Sequence, residues 1–179
     1  MQKLACPKCH EPLHLEGNSY YCPNRHTYDL AKRKYLNLLL NPDKNSNNPG
    51  DNKDSLNCRK AFLNKGYYDP ISDTLNRYIA EHSHPDMQIL DLGCGEGYYL
   101  ARMKKMLNHE DYTYYGLDIA KDAIMMATQY DRSIYWLVGN SKNLPLLDHS
   151  MDVISCLFTV VNAGELARVI KKDGYIIHV

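Results

Sequence analysis

Residues Ile89-Leu90-Asp91-Leu92-Gly93-Cys94-Gly95-Glu96-Gly97-Tyr98-Tyr99 decide the fold. The largely apolar start predicts a buried strand, and the glycines after it predict a turn that opens directly into a helix. The spacing G-x-G-x-G lets the backbone pass close beneath a bound ligand, where a Cβ would collide. A dinucleotide fingerprint needs G-x-G-x-x-G. Here the third glycine comes one residue early, and Glu96 puts a carboxylate where phosphates would otherwise face the turn. The arrangement suits S-adenosylmethionine better than a pyrophosphate. Further on, Tyr114-Tyr115-Gly116-Leu117-Asp118-Ile119 predicts a second strand with Asp118 at its end, placed to accept hydrogen bonds from a ribose diol. A glycine turn alone is often only a tight connection, and it is the pairing with Asp118 that points to a cofactor.

Outward from this stretch the chain alternates between strand and helix. The expected order is strand 89–92, helix 97–108, strand 113–117, helix 121–130, strand 134–138, strand 151–157, helix 163–171 and strand 174–179. Such alternation predicts an α/β fold, a Rossmann-like parallel sheet with helices on both faces. Ligands of that architecture bind beyond the carboxyl ends of the strands, where the strand order reverses. The candidate cofactor residues there are Asp91, Gly93, Cys94, Gly95, Glu96, Gly97 and Asp118. Asn140 and Ser141, in the turn after the third strand, are candidates for the adenine edge, although such residues also serve as plain turn formers. Upstream, a helix capped by Asp51 is expected to run toward Gly66, and a second one from Pro70 to Glu81. Residues 41–50 are polar and rich in turn formers, which predicts a loop. The expected division is a zinc module at 1–40, that loop, a helical segment at 51–87 and the core at 88–179.

The zinc expectation rests on Cys6, Cys9, Cys22 and His26, spaced C-x2-C-x12-C-x3-H. Two close pairs of soft ligands separated by a loop can close a tetrahedron around the ion. Cys9 to Cys22 leaves room for a short hairpin, with Tyr20 and Tyr21 in one of its strands. A disulfide is the competing reading, but the first eight residues are too polar for a secretory leader.

Composition fits a soluble cytoplasmic protein. The 179 residues are 44% hydrophobic, enough for one medium domain and a small metal-stapled one. No apolar run approaches the roughly 20 residues of a membrane span. Net charge is zero, yet residues 1–60 carry ten basic against six acidic residues and the remainder carries eleven against fifteen. A basic leading module joined to an acidic one is compatible with an enzyme directed to nucleic acid. Lys32, Arg33 and Lys34 are either a phosphate-attracting cluster or a solvated helix face.

These residues also carry a resemblance. Cys6-Pro7-Lys8-Cys9, the run from Tyr20 to His26, Asp29 to Lys32, Gly50-Asp51, Arg59 to Leu63 and Gly66-Tyr67-Tyr68 resemble the zinc-containing bacterial 23S rRNA guanine-N-1 methyltransferases. The likeness continues through Leu90 to Tyr99, Gly116 to Ile119, Leu144-Pro145 and Glu165 to Lys171. It implies an N-terminal zinc module on an S-adenosylmethionine-dependent methyltransferase domain, with 23S rRNA as partner and a guanine in a hairpin near the peptide exit tunnel as target. It also implies that Tyr68 closes over the cofactor, where its ring would shield the sulfonium's methyl from water. The family pattern has a Pro-Cys pair after the fourth core strand, where this chain reads Phe158 to Ala163, the segment at which the target base would enter. The resemblance further implies additional strands beyond Val179. An apolar final strand at a sheet edge predicts association with a second copy.

Methylation of a guanine ring nitrogen also needs a proton acceptor. No residue is singled out for that role: Asp152 is expected at the wrong end of its strand, and Cys94 and Cys156 are expected as buried small side chains. Two other readings remain open at this point, an inactive zinc-containing RNA-binding remnant and a methyltransferase acting on a small molecule.

Overall fold

The computed structural model describes residues 2–40 and 50–179, so all of the expected 41–50 loop except Gly50 lies outside the described residues. The chain opens with three short antiparallel strands, β1 (His14–Glu16), β2 (Ser19–Tyr21) and β3 (Thr27–Asp29). Then follow β4 (Tyr35–Asn37), α1 (Lys53–Leu63), α2 (Asp69–Glu81), β5 (Gln88–Leu92), α3 (Tyr98–Leu107), β6 (Thr113–Asp118), α4 (Lys121–Ala127), β7 (Tyr135–Val138), β8 (Met151–Cys156), α5 (Ala163–Val169) and β9 (Ile170–His178). The main sheet is parallel, in the order β4-β7-β6-β5-β8-β9. From β5 the chain steps to β6 and β7 on one side, then returns to β8 on the other. The strand order therefore reverses between β5 and β8, and the glycine turn leaves β5 at that point.

The two faces of the sheet are covered differently. Ile89, Tyr114, Trp136 and Val153 pack with Leu75 and Ile79 of α2, Leu100 and Met103 of α3 and Ile124 of α4. Their alternating neighbours Leu90, Leu92, Tyr115, Leu117, Leu137 and Ile154 pack with Leu166 and Val169 of α5 and with Leu4, Leu13 and Tyr20 of the N-terminal module. Helices thus lie on both faces, as expected, and on the second face the zinc module packs beside α5. Leu4 bridges Leu146, the Lys3 N–H donates to the Tyr115 hydroxyl (3.1 Å), and Asn143 Nδ2 donates to the Pro7 carbonyl (2.8 Å). Burying a leucine such as Leu4 contributes about 2 kcal/mol, so this docking carries part of the core's stability.

Local differences from expectation have physical reasons. Asn52, not Asp51, caps α1, its Oδ1 accepting from the Ser55 N–H at 2.9 Å. α4 stops at Ala127 rather than 130 because Gln129 and Tyr130 continue in a tighter turn, bonding three residues back to Met126 and Ala127. α5 ends at Val169, not Lys171, and β9 starts at Ile170 rather than Gly174. Ile170 already pairs with Met151, across a register shift before Val153. Lys32 to Lys34 form an exposed turn, not a helix face. Among the described residues no helix is long and apolar enough to cross a membrane.

Candidate functional site

The four predicted metal ligands converge. Their ligand atoms lie within 4.8 Å of one another, with Cys9 Sγ 3.7 Å from Cys22 Sγ and His26 Nδ1 3.4, 3.5 and 3.4 Å from the sulfurs of Cys6, Cys9 and Cys22. A tetrahedron with zinc–sulfur bonds of about 2.3 Å and zinc–nitrogen bonds of about 2.0 Å has edges of about 3.8 and 3.5 Å. The donor set therefore fits zinc, whereas S–S bonding at about 2.05 Å does not describe it. All six cysteines are free. The Tyr28 hydroxyl lies 3.2 Å from Cys6 Sγ and can donate to the thiolate of a metal site.

At the carboxyl end of β5, the glycine turn is held by the neighbouring strand. The Gly93 and Cys94 N–H groups both donate to the Leu117 carbonyl, and the Gly95 N–H donates to Asp118 Oδ2 at 2.9 Å. Gly93 (φ 72°) and Gly97 (φ 94°) occupy the left-handed region and have no room for a Cβ. At Gly93 a Cβ would collide with the Thr159 side chain, and at Gly97 with Ala127 and Trp136. The third glycine thus serves the packing of α3, while Gly95 is the one with open space above it, apart from Arg59 Nη1 3.7 Å from where a Cβ would be.

Above the turn is a cavity of about 230 Å³, lined by Gly93, Cys94, Gly95, Glu96 and Tyr99 and by side chains from α1 and from the segment after β8. Tyr68, the residue before α2, lies at its rim between Phe62 and Phe158, with ring centroids 5.6 and 5.8 Å away. Phe158 is 60% exposed and sits at φ 56°, a conformation bulky side chains rarely adopt outside functional sites. Glycine spacing does not point to Arg59, Phe62 or Tyr99. They reach the cavity through tertiary placement of α1 and the first turn of α3.

Acidic groups dominate the surroundings. Asp91 is buried under the turn. Its Oδ1 accepts from Ser155 Oγ at 2.8 Å, its Oδ2 has no partner among the described residues, and burial pushes its pKa up to about 7. Glu96 is 2% exposed, neither of its oxygens has a hydrogen-bond partner of good geometry among the described residues, and burial raises its pKa, opposed by the nearby Tyr130 hydroxyl and the Lys60 and Arg59 charges. Asp118 is likewise raised by burial, opposed by the Ala120 and Gly95 N–H groups, each of which donates to one of its oxygens. An unpaired buried carboxylate is costly unless a cation completes it. These orphaned oxygens fit a cofactor bearing an ammonium and a sulfonium, and they disfavour a phosphate.

Other predicted residues stand apart from the cavity. Asp118 ends β6, and the Gly139 N–H donates to its carbonyl, so the turn after β7 lies at the same edge of the sheet. Asn140 Oδ1 accepts from the Lys142 N–H in that turn, and neither Asn140 nor Ser141 lines the cavity. Lys32 to Lys34 precede Tyr35, which pairs with Trp136, and so lie at the amino ends of β4 and β7, the far edge of the sheet. Asp152 is engaged by the Gln88 N–H and Lys171 at that far edge. Burial keeps the Cys94 thiol well above its usual range and pushes that of Cys156 up to about 12, so both stay protonated.

Comparison with known proteins bears on both modules. Residues 4–47 match the zinc-ribbon family model described as RlmA, N-terminal, and residues 89–174 match a methyltransferase domain model. A Streptomyces fradiae 23S rRNA (guanine(748)-N(1))-methyltransferase is 31% identical over 175 residues, covering 96% of this chain and 60% of that protein. A Bacillus subtilis protein, provisionally named a 23S rRNA (guanine-N(1)-)-methyltransferase, is 31% identical over 184 residues, covering 97% of this chain and 62% of that protein. Among solved structures, a SAM-dependent methyltransferase from Aquifex aeolicus superposes with a TM-score of 0.51 at 25% identity, over 57% of this chain and 61% of that one. The chain spans about three-fifths of the length of the curated relatives it matches.

Proposed function

We propose that this chain, a relative of the 23S rRNA guanine-N-1 methyltransferases with an RlmA-type zinc ribbon ahead of a SAM-dependent methyltransferase fold, methylates the N-1 ring nitrogen of a guanine in 23S rRNA. The observation that carries the reading is the orphaned carboxylate oxygen of Asp91 beneath a glycine turn, at the point where the strand order reverses. Asp91 would take the ammonium of S-adenosylmethionine, the turn from Gly93 to Gly97 its backbone contacts, Asp118 the ribose hydroxyls, and Asn140 and Ser141 the adenine. The cavity is smaller than the roughly 300 Å³ of an ordinary small-molecule pocket, which suits the amino-acid end of the cofactor rather than the whole of it. When bound, the cofactor supplies an electrophilic methyl group on a sulfonium.

The rest is positioning. Tyr68 and Phe62 form an apolar rim that keeps water from the reacting centre. Phe158 offers an exposed aromatic face on which an unstacked base can lie, as single-stranded RNA bases do on aromatic side chains. Attack by N-1 would form the nitrogen–carbon bond as the carbon–sulfur bond breaks, leaving the neutral thioether S-adenosylhomocysteine, and the N-1 proton would pass to solvent water. The zinc ribbon, held by Cys6, Cys9, Cys22 and His26, would contribute to RNA recognition. Action on 23S rRNA places the protein in the cytoplasm. The outer edge of β9 pairs with no strand among the described residues, and association of two copies along it is part of the proposal. Light scattering that finds only monomer at high micromolar concentration would remove that part.

The test is calorimetric titration of S-adenosylmethionine into the zinc-loaded chain and into Asp118→Ala. Saturable binding that the substitution abolishes is expected. Equal binding by both proteins, or by neither while both are folded, would overturn the cofactor site.

A further inference from the structure

The site proposed above accounts for the cationic groups of the cofactor and leaves its one anion, the methionyl carboxylate, without a partner. We infer that Arg59, assisted by the Tyr99 hydroxyl, is the carboxylate anchor of this pocket. The inference rests on the S-adenosylmethionine reading and adds a residue that neither the glycine turn nor Asp118 supplies.

Three observations converge on it. Arg59 is the only cation among the described residues lining the cavity, whose other charged wall residue is Glu96. Its Nη1 is the single atom among the described residues within 4 Å of where a Gly95 Cβ would stand, so the guanidinium reaches the space that the glycine keeps clear. The Tyr99 hydroxyl is shielded from solvent and has no hydrogen-bond partner among the described residues, which leaves a donor in the wall of the same cavity. A zwitterionic amino acid needs an anion at one end and donors at the other. Asp91 is buried at the end of β5, just before the turn, while Arg59 lines the cavity from α1.

The guanidinium also has a placeholder. Arg59 Nη2 lies 3.2 Å from Asp51 Oδ2, with the two side chains 54% and 44% exposed. An ion pair that open contributes little, so its guanidinium can turn to a better-enclosed carboxylate with small loss. Arginine's planar fork suits that exchange, because it can bind a carboxylate with two parallel hydrogen bonds where lysine offers a point charge.

The experiment compares S-adenosylmethionine with 5′-methylthioadenosine, which keeps the adenosine and sulfur and lacks the amino-acid group. Both are titrated into the wild-type chain, Arg59→Ala and Arg59→Lys, with melting curves to establish that each variant is folded. The wild type should prefer S-adenosylmethionine. Arg59→Ala should weaken S-adenosylmethionine at least tenfold while shifting methylthioadenosine less than twofold, with Arg59→Lys between. Tyr99→Phe should give a smaller loss of the same selectivity. Unchanged S-adenosylmethionine affinity in Arg59→Ala, or an equal loss for both ligands, overturns the inference while leaving the cofactor site standing. A wild type that binds neither ligand overturns the site and the inference together.

Discussion

Asp91 makes the proposed binding depend on pH in a calculable way. Burial raises its carboxyl to about 7, with Ser155 donating to one oxygen and the other left bare. A carboxylic acid whose folded pKa lies above its unfolded value favours the folded state most at low pH. Without ligand its contribution is present below about 4 and is lost as pH rises toward 7, an effect of at most about 4 kcal/mol at 1.36 kcal/mol per unit. The cofactor's ammonium reverses the preference, since it requires the ionised form. Affinity should therefore weaken about tenfold from the plateau above pH 8 down to pH 6, and binding at pH 6 should release close to one proton. Calorimetry in two buffers of different ionisation enthalpy counts that proton directly. Asp91→Asn should flatten the profile, bind S-adenosylmethionine poorly at every pH, and unfold at higher urea than the wild type near pH 8, because it no longer buries a charge. A Kd constant between pH 6 and 8 with no proton release, or a profile that Asp91→Asn leaves intact, would refute the reasoning.

Three other expectations follow from separate parts of the molecule. Protein prepared without chelator should carry about one zinc per chain. Cys22→Ser should lose it and lower the melting temperature, because the module covers one face of the sheet; elemental analysis that finds no metal would refute the assignment. Phe158→Ala should lower methyl transfer to RNA while leaving the calorimetric affinity for S-adenosylmethionine within about twofold; equal losses in both would remove its role with the base. Arg168 donates to the Leu144 and Leu146 carbonyls and pairs with Glu165 and Asp148, fixing the segment to which Leu4 and Ala5 are bonded. Arg168→Ala should cost about 2–3 kcal/mol in urea unfolding, and a loss below about 0.5 kcal/mol would show that the network is not coupled to stability.

The core of the fold was legible because its signals are local. Ile89 to Leu92 and Met151 to Cys156 are apolar runs between turn formers, Gly93 marks the end of β5 by its backbone conformation, and the ligand spacing from Cys6 to His26 names its own ion. The placement of Tyr35 to Asn37 as the edge strand β4 was not legible. Three residues carry no periodicity, and their partner strand β7 lies far along the chain. The packing of the zinc module beside α5 was equally hidden, since nothing in Leu4, Leu13 or Tyr20 says that they cover Leu90 and Tyr115. At the site, the glycine turn and its acids were visible as a pattern, while Arg59 and Tyr99 gain their meaning only when α1 and α3 close around one cavity. Tyr68 came from family resemblance alone, and the ring stands at the cavity rim.

The central claim is tested most directly by incubating the zinc-loaded chain with S-adenosylmethionine carrying a labelled methyl group and unmodified 23S rRNA, followed by primer extension. A methyl group on N-1 occupies the base-pairing edge of guanine, so the account predicts label in the RNA and a single strong stop one nucleotide before a hairpin guanine. RNA that stays unlabelled with a folded, cofactor-binding protein, or label without a stop at any guanine, would contradict it.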